Sequence, residues 1–329
     1  MNVGVIMPTW LGDVCMATPA LAMLRAQRSD AHVTAFMHPT TAALLAAQPS
    51  IDAVAVLESR GIFAMARLLR RARLDEVWLF PGSFRSAAGP WLARIARRIG
   101  YRRDGRGLLL THGVAQLDRS ECVSTVQWYA HLVQTVMELS DQEVPTMHLI
   151  VTDEDRDAAS DVLAAAGEQF AVLVPGANRV DKRWPAERFG ELAVRLHAAH
   201  GLHSVIVGSP AEADVAEAVI DAAGDTPLVN AVAMGTSVSA LKAIIGQSEI
   251  VVSNDTGPRH IALCLDTPSV ALFGPTDQRW TATEAPNERR LVAEPFLPEA
   301  LVADRCAAAC RIDRIPVSDA VRAVADLLE

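Results

Sequence analysis

The chain has 329 residues, 50% of them hydrophobic, so it is too long for one ordinary domain and suits two domains of about 150 residues. Its net charge of −9 and its pI near 5.5 argue against a general nucleic-acid-binding protein. The five cysteines are odd in number and scattered, which indicates a reducing compartment rather than a disulfide framework.

Apolar strand-like runs alternate with helical stretches in the first half of the chain, which is the pattern of parallel α/β layers. The apolar N-terminus does not predict a signal peptide, because no Lys or Arg precedes the apolar run and Asp13 lies within it. No uncharged apolar run reaches the roughly 18–20 residues that cross a bilayer. The predicted strands are 2–7, 31–37, 52–57 and 75–80, and the predicted helices are 14–28, 40–47, 62–73, 87–98 and 122–139.

A domain boundary is predicted near 140–152, a stretch with polar residues and a proline. Thr152 can then cap a helix that has an acidic first turn and ends at Gly167. The α/β alternation restarts after it, so the sequence predicts two Rossmann-like domains, 1–150 and 151–329, that face a central cleft. The predicted strands of the second half are 170–174, 203–207, 249–252 and 268–273, and its further predicted helices are 185–199, 211–223, 237–246, 258–265 and 317–328.

The loop after the first strand carries Trp10, Gly12 and Asp13. Gly12 allows a tight turn close to a ligand, and Asp13 lies at or near a helix start. Asp13 therefore has two interpretations, a helix N-cap or a general base that takes a proton from a sugar hydroxyl. The loop after the fourth strand carries Ser83 and Arg85, which suit either a turn before a helix or an acidic or sugar acceptor.

The loop after the first strand of the second half carries Gly176, Asn178 and Lys182. It can offer backbone N–H groups and one positive charge to a diphosphate, but it is not a Walker A loop. The G-x-G-x-x-G pattern is absent too, which argues against a dehydrogenase. Glu212 follows the next strand, where it suits either the ribose hydroxyls of a nucleotide or the dipole of a helix first turn.

The strongest local signal is a buried strand that runs into Asp255-Thr256-Gly257, with a helix that begins at Pro258. The first N–H groups of a helix bind anions. In this interpretation Asp255 binds sugar hydroxyls, while Thr256 and Gly257 face phosphate. His260 is either a residue of this site or an ordinary buried histidine.

Positive charge is concentrated in residues 60–106, which hold twelve arginines and three acidic residues, a net charge of +9. It indicates either solvated helix faces or a positive surface that meets an anionic acceptor or membrane leaflet. Cys306 and Cys310 form a close cysteine pair, but no second Cys or His pair follows, so we expect ordinary thiols and no metal.

Six segments, each modest alone, resemble in their order the ADP-heptose–lipopolysaccharide heptosyltransferases, glycosyltransferase family nine. The resemblance extends over nearly the whole chain, and the forms TWLGD and GSFRSA are closer to the second heptosyltransferase than to the first. The segments are MPTWLGDVCMATPAL, PGSFRSA, VPGANRVDKRWP, VGSPAE, VVSNDTGPRH and LFGPTD.

This resemblance implies a GT-B glycosyltransferase, without metal or cofactor, that moves heptose with inversion from ADP-heptose to the lipopolysaccharide inner core. Asp13 would be the general base and Lys182 would stabilise the leaving diphosphate. Glu212 would bind the adenosine ribose, and Asp255 would hold the donor heptose. The implied donor-binding residues are Gly176, Asn178, Lys182, Glu212, Asp255, Thr256, Gly257 and His260, and the implied acceptor-binding residues are Trp10, Gly12, Ser83 and Arg85.

The N-terminal domain would receive the anionic core acceptor, and the last helix, 317–328, would pack back on that domain. We expect a cytoplasmic protein with peripheral contact at the inner face of the cytoplasmic membrane and no nucleic-acid partner. Another nucleotide sugar stays open as the donor, because Pro258 and Arg259 are not the residues most common in this family between Gly257 and His260. A sugar-nucleotide epimerase would need further acid/base residues that we cannot assign, and a non-catalytic nucleotide-sugar-binding protein would not need Asp13.

Overall fold

The computed structural model describes residues 1–59, 61–117, 123–139, 142–283, 285–293 and 310–329. Arg60, Cys306 and the predicted helix start at residue 122 lie outside these ranges. Contacts divide the chain into two compact units. The first unit is Met1–Ile150 with Arg279–Thr283, and the second unit is Val151–Gln278 with Glu284–Glu329.

The first unit is built on a parallel sheet. Its described strands are β1 (Asn2–Ile6), β2 (His32–Met37), β3 (Ala53–Val56), β4 (Glu76–Leu79), β5 (Arg97–Tyr101) and β6 (His112–Val114). Their order in the sheet is β3-β2-β1-β4-β5-β6. The order changes direction at the β1/β4 pair, so the loops that follow these two strands open at the same edge, where open α/β sheets bind ligands.

The described helices of the first unit are α1 (Leu11–Met16), α2 (Thr18–Gln27), α3 (Ile62–Arg71), α4 (Phe84–Leu92) and α5 (Thr125–Met137). The stretch 14–28, predicted as one helix, is interrupted at Ala17, and Pro19 then lies in the first turn of α2, where its missing N–H is not needed. The predicted helix 40–47 is a 3₁₀ turn, Ala42–Leu45.

The prediction of a helix over 87–98 is wrong in its second half. α4 ends at Leu92, and the chain enters β5 five residues later. Strand β5 begins with two arginines, so its sequence does not read as an apolar run, although Ile99 and Tyr101 are buried and the strand pairs with β4 and β6. Strand β6, with the sequence HGV, is too short and polar to predict from periodicity.

The second unit repeats the same topology. Its described strands are β7 (Phe170–Val174), β8 (His203–Ile206), β9 (Leu228–Asn230), β10 (Ile250–Asn254), β11 (Ser269–Phe273) and β12 (Glu288–Val292). They are parallel in the order β12-β11-β10-β7-β8-β9, which changes direction at β7/β10. The predicted α/β fold class with Rossmann-like sheets is therefore confirmed, although the outermost strands β9 and β12 were not predicted.

The described helices of the second unit are α6 (Asp153–Ala166), α7 (Ala186–His200), α8 (Ala213–Ala223), α9 (Val238–Gln247), α10 (Gly257–Cys264) and α11 (Val317–Leu328). Thr152 caps α6 in a capping box with Asp155, as predicted. Asp155 also pairs with Lys242 of α9 at 2.7 Å, and both side chains are buried, so the first turn of α6 is anchored in the unit that it opens.

The closing helix α11 packs against α7, β11 and β12 of the second unit, with Ala320 and Val324 fully buried. Its packing on the N-terminal domain stays a prediction. Every helix in the described ranges is too short or too polar to span a bilayer.

Candidate functional site

The loops after β7 and β10 are tied together by Asn254, the last residue of β10. Its side chain is fully buried, and Nδ2 donates to the carbonyl oxygen of Gly176 at 3.2 Å and to that of the preceding residue at 2.8 Å. Its Oδ1 accepts from the backbone N–H of Trp184 at 3.1 Å. One amide thus fixes both ends of the loop that carries Lys182. Sequence analysis missed this residue, although its position beside Asp255 at a strand end was an available signal.

Asp255 is the centre of a charged cluster. Its Oδ2 lies 3.2 Å from Nζ of Lys182 and 3.5 Å from Oγ1 of Thr276, and its Oδ1 lies 3.3 Å from Nη1 of Arg259. Burial raises the pKa of the Asp255 carboxyl, but the positive charges of Lys182 and Arg259 outweigh it and hold this pKa below its usual value. Asp255 is therefore an anion at neutral pH, with two cations beside it.

Arg259 also forms a buried ion pair with Glu288 of β12. Its guanidinium makes two hydrogen bonds to the Glu288 carboxylate, at 2.6 and 3.0 Å, and lies 5.0 Å from the centre of the Phe273 ring. Nε of Arg290 contacts the same carboxylate at 2.6 Å. The side chains of Arg259 and Glu288 are 0% and 1% exposed. Sequence analysis did not assign either residue to the site; the cluster became visible only when β12 was placed beside β11.

The N-terminus of α10 follows directly. Thr256 is its N-cap residue, and its Oγ1 is buried with no hydrogen-bond partner among the described residues; the same holds for Nδ1 of His260. Burial lowers the pKa of His260 to about 3, so its imidazole is neutral at pH 7. Gly257, the first helical residue, adds a backbone N–H that points out of the helix end. This end of α10 can donate hydrogen bonds to an anion without adding a charged histidine.

Glu212 and Gly176 meet in the same unit. The Glu212 carboxylate lies against the backbone of Gly176. A Cβ added to Gly176 would lie 2.0 Å from Oε1 of Glu212, so this close approach requires glycine. Oε2 of Glu212 accepts from N and Oγ of Ser209, at 2.7 and 2.8 Å, which positions the carboxylate. Asn178 is exposed in the loop that leads to Lys182.

Asp13 is the third residue of α1 in the first unit, and Trp10 is the N-cap residue. The interpretation of Asp13 as an N-cap is therefore wrong, because Trp10 has that position and Asp13 lies inside the first turn. Burial raises the pKa of Asp13, which makes the carboxylate a better base. Burial and the charge of Asp13 also raise the pKa of Tyr129 well above its usual value. Gly12 is buried in the first turn of α1.

A cavity of about 280 Å³ lies at the carboxyl ends of β1 to β4. It brings together Trp10, Ser83 and Arg85, three of the four residues predicted to bind an acceptor. Hydroxyl and imidazole groups complete its polar lining, and sequence analysis selected none of them. They are Thr9, His38, Ser59 and Ser86.

The loop that forms one wall of this cavity rests on a buried arginine. Nη1 of Arg106 donates to the carbonyl oxygens of Pro81, at 2.5 Å, and Ser83, at 3.3 Å, and to Oγ of Ser86 at 3.0 Å. The side chain is fully buried, and desolvation lowers its pKa to about 10. In the sequence Arg106 was counted only as part of the positive segment, because burial cannot be read from charge.

Cys310 is a buried free thiol, and its partner in the C-x3-C pair lies outside the described residues. Within the described ranges, no group of three or more His, Cys, Asp or Glu side chains is placed to hold a metal ion.

Comparison with known proteins gives one family. The model of glycosyltransferase family 9 (heptosyltransferase) matches residues 62–300. Lipopolysaccharide heptosyltransferase 2 of Salmonella typhimurium is 29% identical over 307 residues, with 85% of each chain covered. Lipopolysaccharide heptosyltransferase 2 of Escherichia coli is 28% identical over 308 residues with the same coverage.

Solved structures have the same fold. The structure of E. coli ADP-heptose lps heptosyltransferase II matches with a TM-score of 0.85 and 24% identity, over 100% of this chain and 98% of that one. A glycosyl transferase family 9 from Veillonella parvula matches with a TM-score of 0.88 and 21% identity, over 99% and 97% of the two chains.

Proposed function

The chain belongs to glycosyltransferase family 9, the heptosyltransferases, and we propose that it moves heptose from ADP-heptose to the inner core of lipopolysaccharide. The observation that carries the proposal is the contact of 3.2 Å between Lys182 and Asp255 at the N-terminus of α10. A carboxylate for sugar hydroxyls and a cation for phosphate stand side by side there, which suits a sugar joined to a diphosphate. The relatives named lipopolysaccharide heptosyltransferase 2 and the structure named for ADP-heptose support the choice of substrates.

In this proposal the second unit holds the donor. Asp255 accepts hydrogen bonds from heptose hydroxyls, and Glu212 accepts them from the adenosine ribose. Thr256, Gly257 and the loop at Gly176 donate to the diphosphate. His260 stays neutral behind the helix end because burial lowers its pKa to about 3.

Departure of ADP builds negative charge on its terminal phosphate. Lys182 and the N-terminus of α10 offer positive charge where this develops, and they are in place before the reaction. Lys182 can leave Asp255 for phosphate, since the carboxylate keeps Arg259 as a partner at 3.3 Å. We therefore propose that the transfer needs neither a metal ion nor a cofactor.

Asp13 is the proposed general base. As the acceptor hydroxyl oxygen bonds to the anomeric carbon, its proton moves to the Asp13 carboxylate. The bond between that carbon and the phosphate oxygen breaks, and its electron pair leaves with ADP. Attack opposite to the leaving group inverts the anomeric configuration. The raised pKa of Asp13 supports this role, because a more basic carboxylate takes the proton more readily.

The cavity of the first unit is the proposed acceptor site. Arg85 offers a charged donor to phosphate or carboxylate groups of the inner core, and Ser83 offers a hydroxyl to its sugars. Trp10, 65% exposed, provides an apolar face for a sugar ring. Gly12 is buried in the first turn of α1, next to Asp13, and is not part of the cavity lining.

Calorimetry of nucleotide binding tests the proposal. ADP-heptose, ADP, UDP-glucose and UDP are titrated into the protein with EDTA present, and we expect only the two ADP compounds to bind. Lys182→Met should weaken both by on the order of tenfold or more, the value of a hydrogen bond to a charged group, whereas the exposed Arg195→Met serves as a matched control. Preference for uridine nucleotides would reject the donor, and no binding at all would reject the transferase function.

A further inference from the structure

Exposed aromatic side chains are concentrated in one part of the first unit. Phe63 is 80% exposed, and Phe84 and Trp91 are each 50% exposed, on two neighbouring helices. A single exposed apolar residue is ordinary, but several large aromatic side chains on adjacent helices mark a surface that contacts a partner.

Helices α3 and α4 present these side chains on one surface. They lie side by side, with Nη2 of Arg70 near the end of α3 donating to the carbonyl oxygen of Leu92 at the end of α4, at 2.8 Å. Their opposite sides contribute to the core around Met65, Leu69 and Ala87. Residues that are four, seven or eight positions apart lie on the same face of a helix. The exposed arginines of α3 have these spacings from Phe63, and Trp91 lies seven positions after Phe84 in α4. The surface, which we call the α3–α4 face, comprises Phe63, Arg67, Arg70 and Arg71 of α3, Phe84 and Trp91 of α4, and Arg94.

Arginine supplies the charge of the α3–α4 face. Segments 61–74 and 77–103 contain no acidic residue. Arg67, Arg71 and Arg94 are exposed and make no ion pair with the described residues. The two intervening acidic residues are engaged elsewhere, since Asp75 accepts from the backbone N–H at the start of β1 and Glu76 is buried.

We propose that the α3–α4 face docks on an anionic phospholipid bilayer. Aromatic rings settle at the headgroup level, and arginines pair with lipid phosphates. Exposed side chains of α3 and α4 outside the cavity are apolar or arginine, without the uncharged hydrogen-bonding groups that form the rim of a protein interface. A lipid surface requires only charge and apolar insertion, so it fits this face better than a protein partner.

This docking rests on the proposed function for its purpose. Ser83 and Arg85 of the cavity flank Phe84, so a docked α3–α4 face brings the cavity close to the headgroups. An acceptor anchored in the bilayer by its lipid would then be presented to the cavity without leaving the membrane.

Co-sedimentation with vesicles tests the docking. One set of vesicles is pure phosphatidylcholine, and the other contains phosphatidylglycerol at three parts in ten. We expect the full chain to bind only the anionic vesicles, with binding that weakens as salt rises. Two double variants separate the apolar and the charged contributions of the α3–α4 face. Phe63→Ser/Trp91→Ser removes the aromatic side chains that would insert, and Arg67→Gln/Arg71→Gln removes two positive charges. Each should lower vesicle partition by on the order of tenfold or more.

Matched controls in the second unit are Met234→Ser and Arg322→Gln, both exposed, which should bind vesicles like the unaltered chain. Calorimetry with ADP shows that each variant is folded and keeps the proposed donor site. Failure of the unaltered chain to bind anionic vesicles, or equal binding by the face variants, would overturn the docking. Self-association lost in the face variants, without vesicle binding, would also overturn it and assign the face to a second copy. Intact ADP binding in either case would leave the proposed function standing.

Discussion

Removal of the charge on Glu288 should weaken the second unit strongly, although this residue is not proposed to touch the substrate. The Arg259 side chain is fully buried and holds Glu288 through two hydrogen bonds of 2.6 and 3.0 Å. Loss of one partner of a buried ion pair costs about 3–5 kcal/mol, because the other charge stays buried. For Glu288→Gln we expect about 3 kcal/mol, the lower end, since Asp255 and the ring of Phe273 still contact the guanidinium.

The double variant Arg259→Met/Glu288→Leu provides the matched control. It removes both charges of the pair and keeps similar volumes, and Asp255 keeps Lys182 as a partner, so we expect it to lose less stability than Glu288→Gln. Donor affinity in Glu288→Gln should also fall by on the order of tenfold, because the Arg259 charge, no longer neutralised by Glu288, interacts more strongly with Asp255.

Native-state hydrogen exchange measures this effect unit by unit. Amides of β10 and β12 report the opening free energy of the second unit, and amides of β1 in the first unit serve as an internal reference. A loss below about 1 kcal/mol in Glu288→Gln, or a double variant less stable than the single one, would refute the reasoning that an uncompensated buried charge sets the cost.

Three further predictions concern the carboxylates. Asp13→Asn should lower the transfer rate by about 10²–10⁴-fold and keep ADP binding, while the melting temperature holds or rises because burial already disfavours the charged form. Gly176→Ala should displace the Glu212 carboxylate, so calorimetry should show that it lowers the affinity for ADP as much as Glu212→Ala does. The double variant Gly176→Ala/Glu212→Ala should bind ADP no more weakly than either single variant. The pKa values of Asp255 and Glu288 are lowered in the folded chain, so ionisation of these two carboxyls stabilises the second unit at pH values above the ordinary carboxyl range. Denaturation at a series of pH values should show that this stability is lost as the pH falls through the lowered pKa values.

Each of these has a contrary result. Undiminished transfer by Asp13→Asn would reject the base, and a transfer rate that stays constant below the raised pKa of Asp13 would argue the same. Gly246→Ala, in helix α9 and away from the donor loops, is the control for Gly176→Ala; equal ADP affinity in the two would reject the role of Glu212. Stability of the second unit that stays constant or rises as pH is lowered below 4 would contradict the lowered pKa values, given ordinary values of 3.8 for Asp and 4.5 for Glu.

Much of the fold could be predicted because parallel strands buried on both faces read as continuous apolar runs. FAVLV in β7 and SVALF in β11 are examples in which every residue is buried. Strands at or near the sheet edges are short or only partly buried, so β6, β9 and β12 carry little of that signal. In β5 the first two residues are arginines whose side chains are partly exposed, so the apolar pattern of this strand, which pairs with both β4 and β6, was not recognised.

Candidate site residues could be found because the chemistry of such sheets lies at strand ends. Lys182 and Asp255, 73 residues apart in the chain, were both selected on that ground and are in contact. The supporting residues Asn254, Glu288 and Arg106 were missed, since their importance comes from burial and from partners distant in sequence. The cavity lining could not be predicted as a set, because it draws single polar groups from several loops.

The most direct test of the central claim is the anomeric configuration of the product. The chain, with EDTA present, is incubated with ADP-heptose of β configuration and a lipid-anchored inner-core acceptor, and the new linkage is assigned by NMR. We predict an α-linked heptose on the acceptor, released ADP and product formation about 10²–10⁴-fold slower with Asp13→Asn. A β-linked product, or transfer that appears only when a divalent metal ion is restored, would contradict the account.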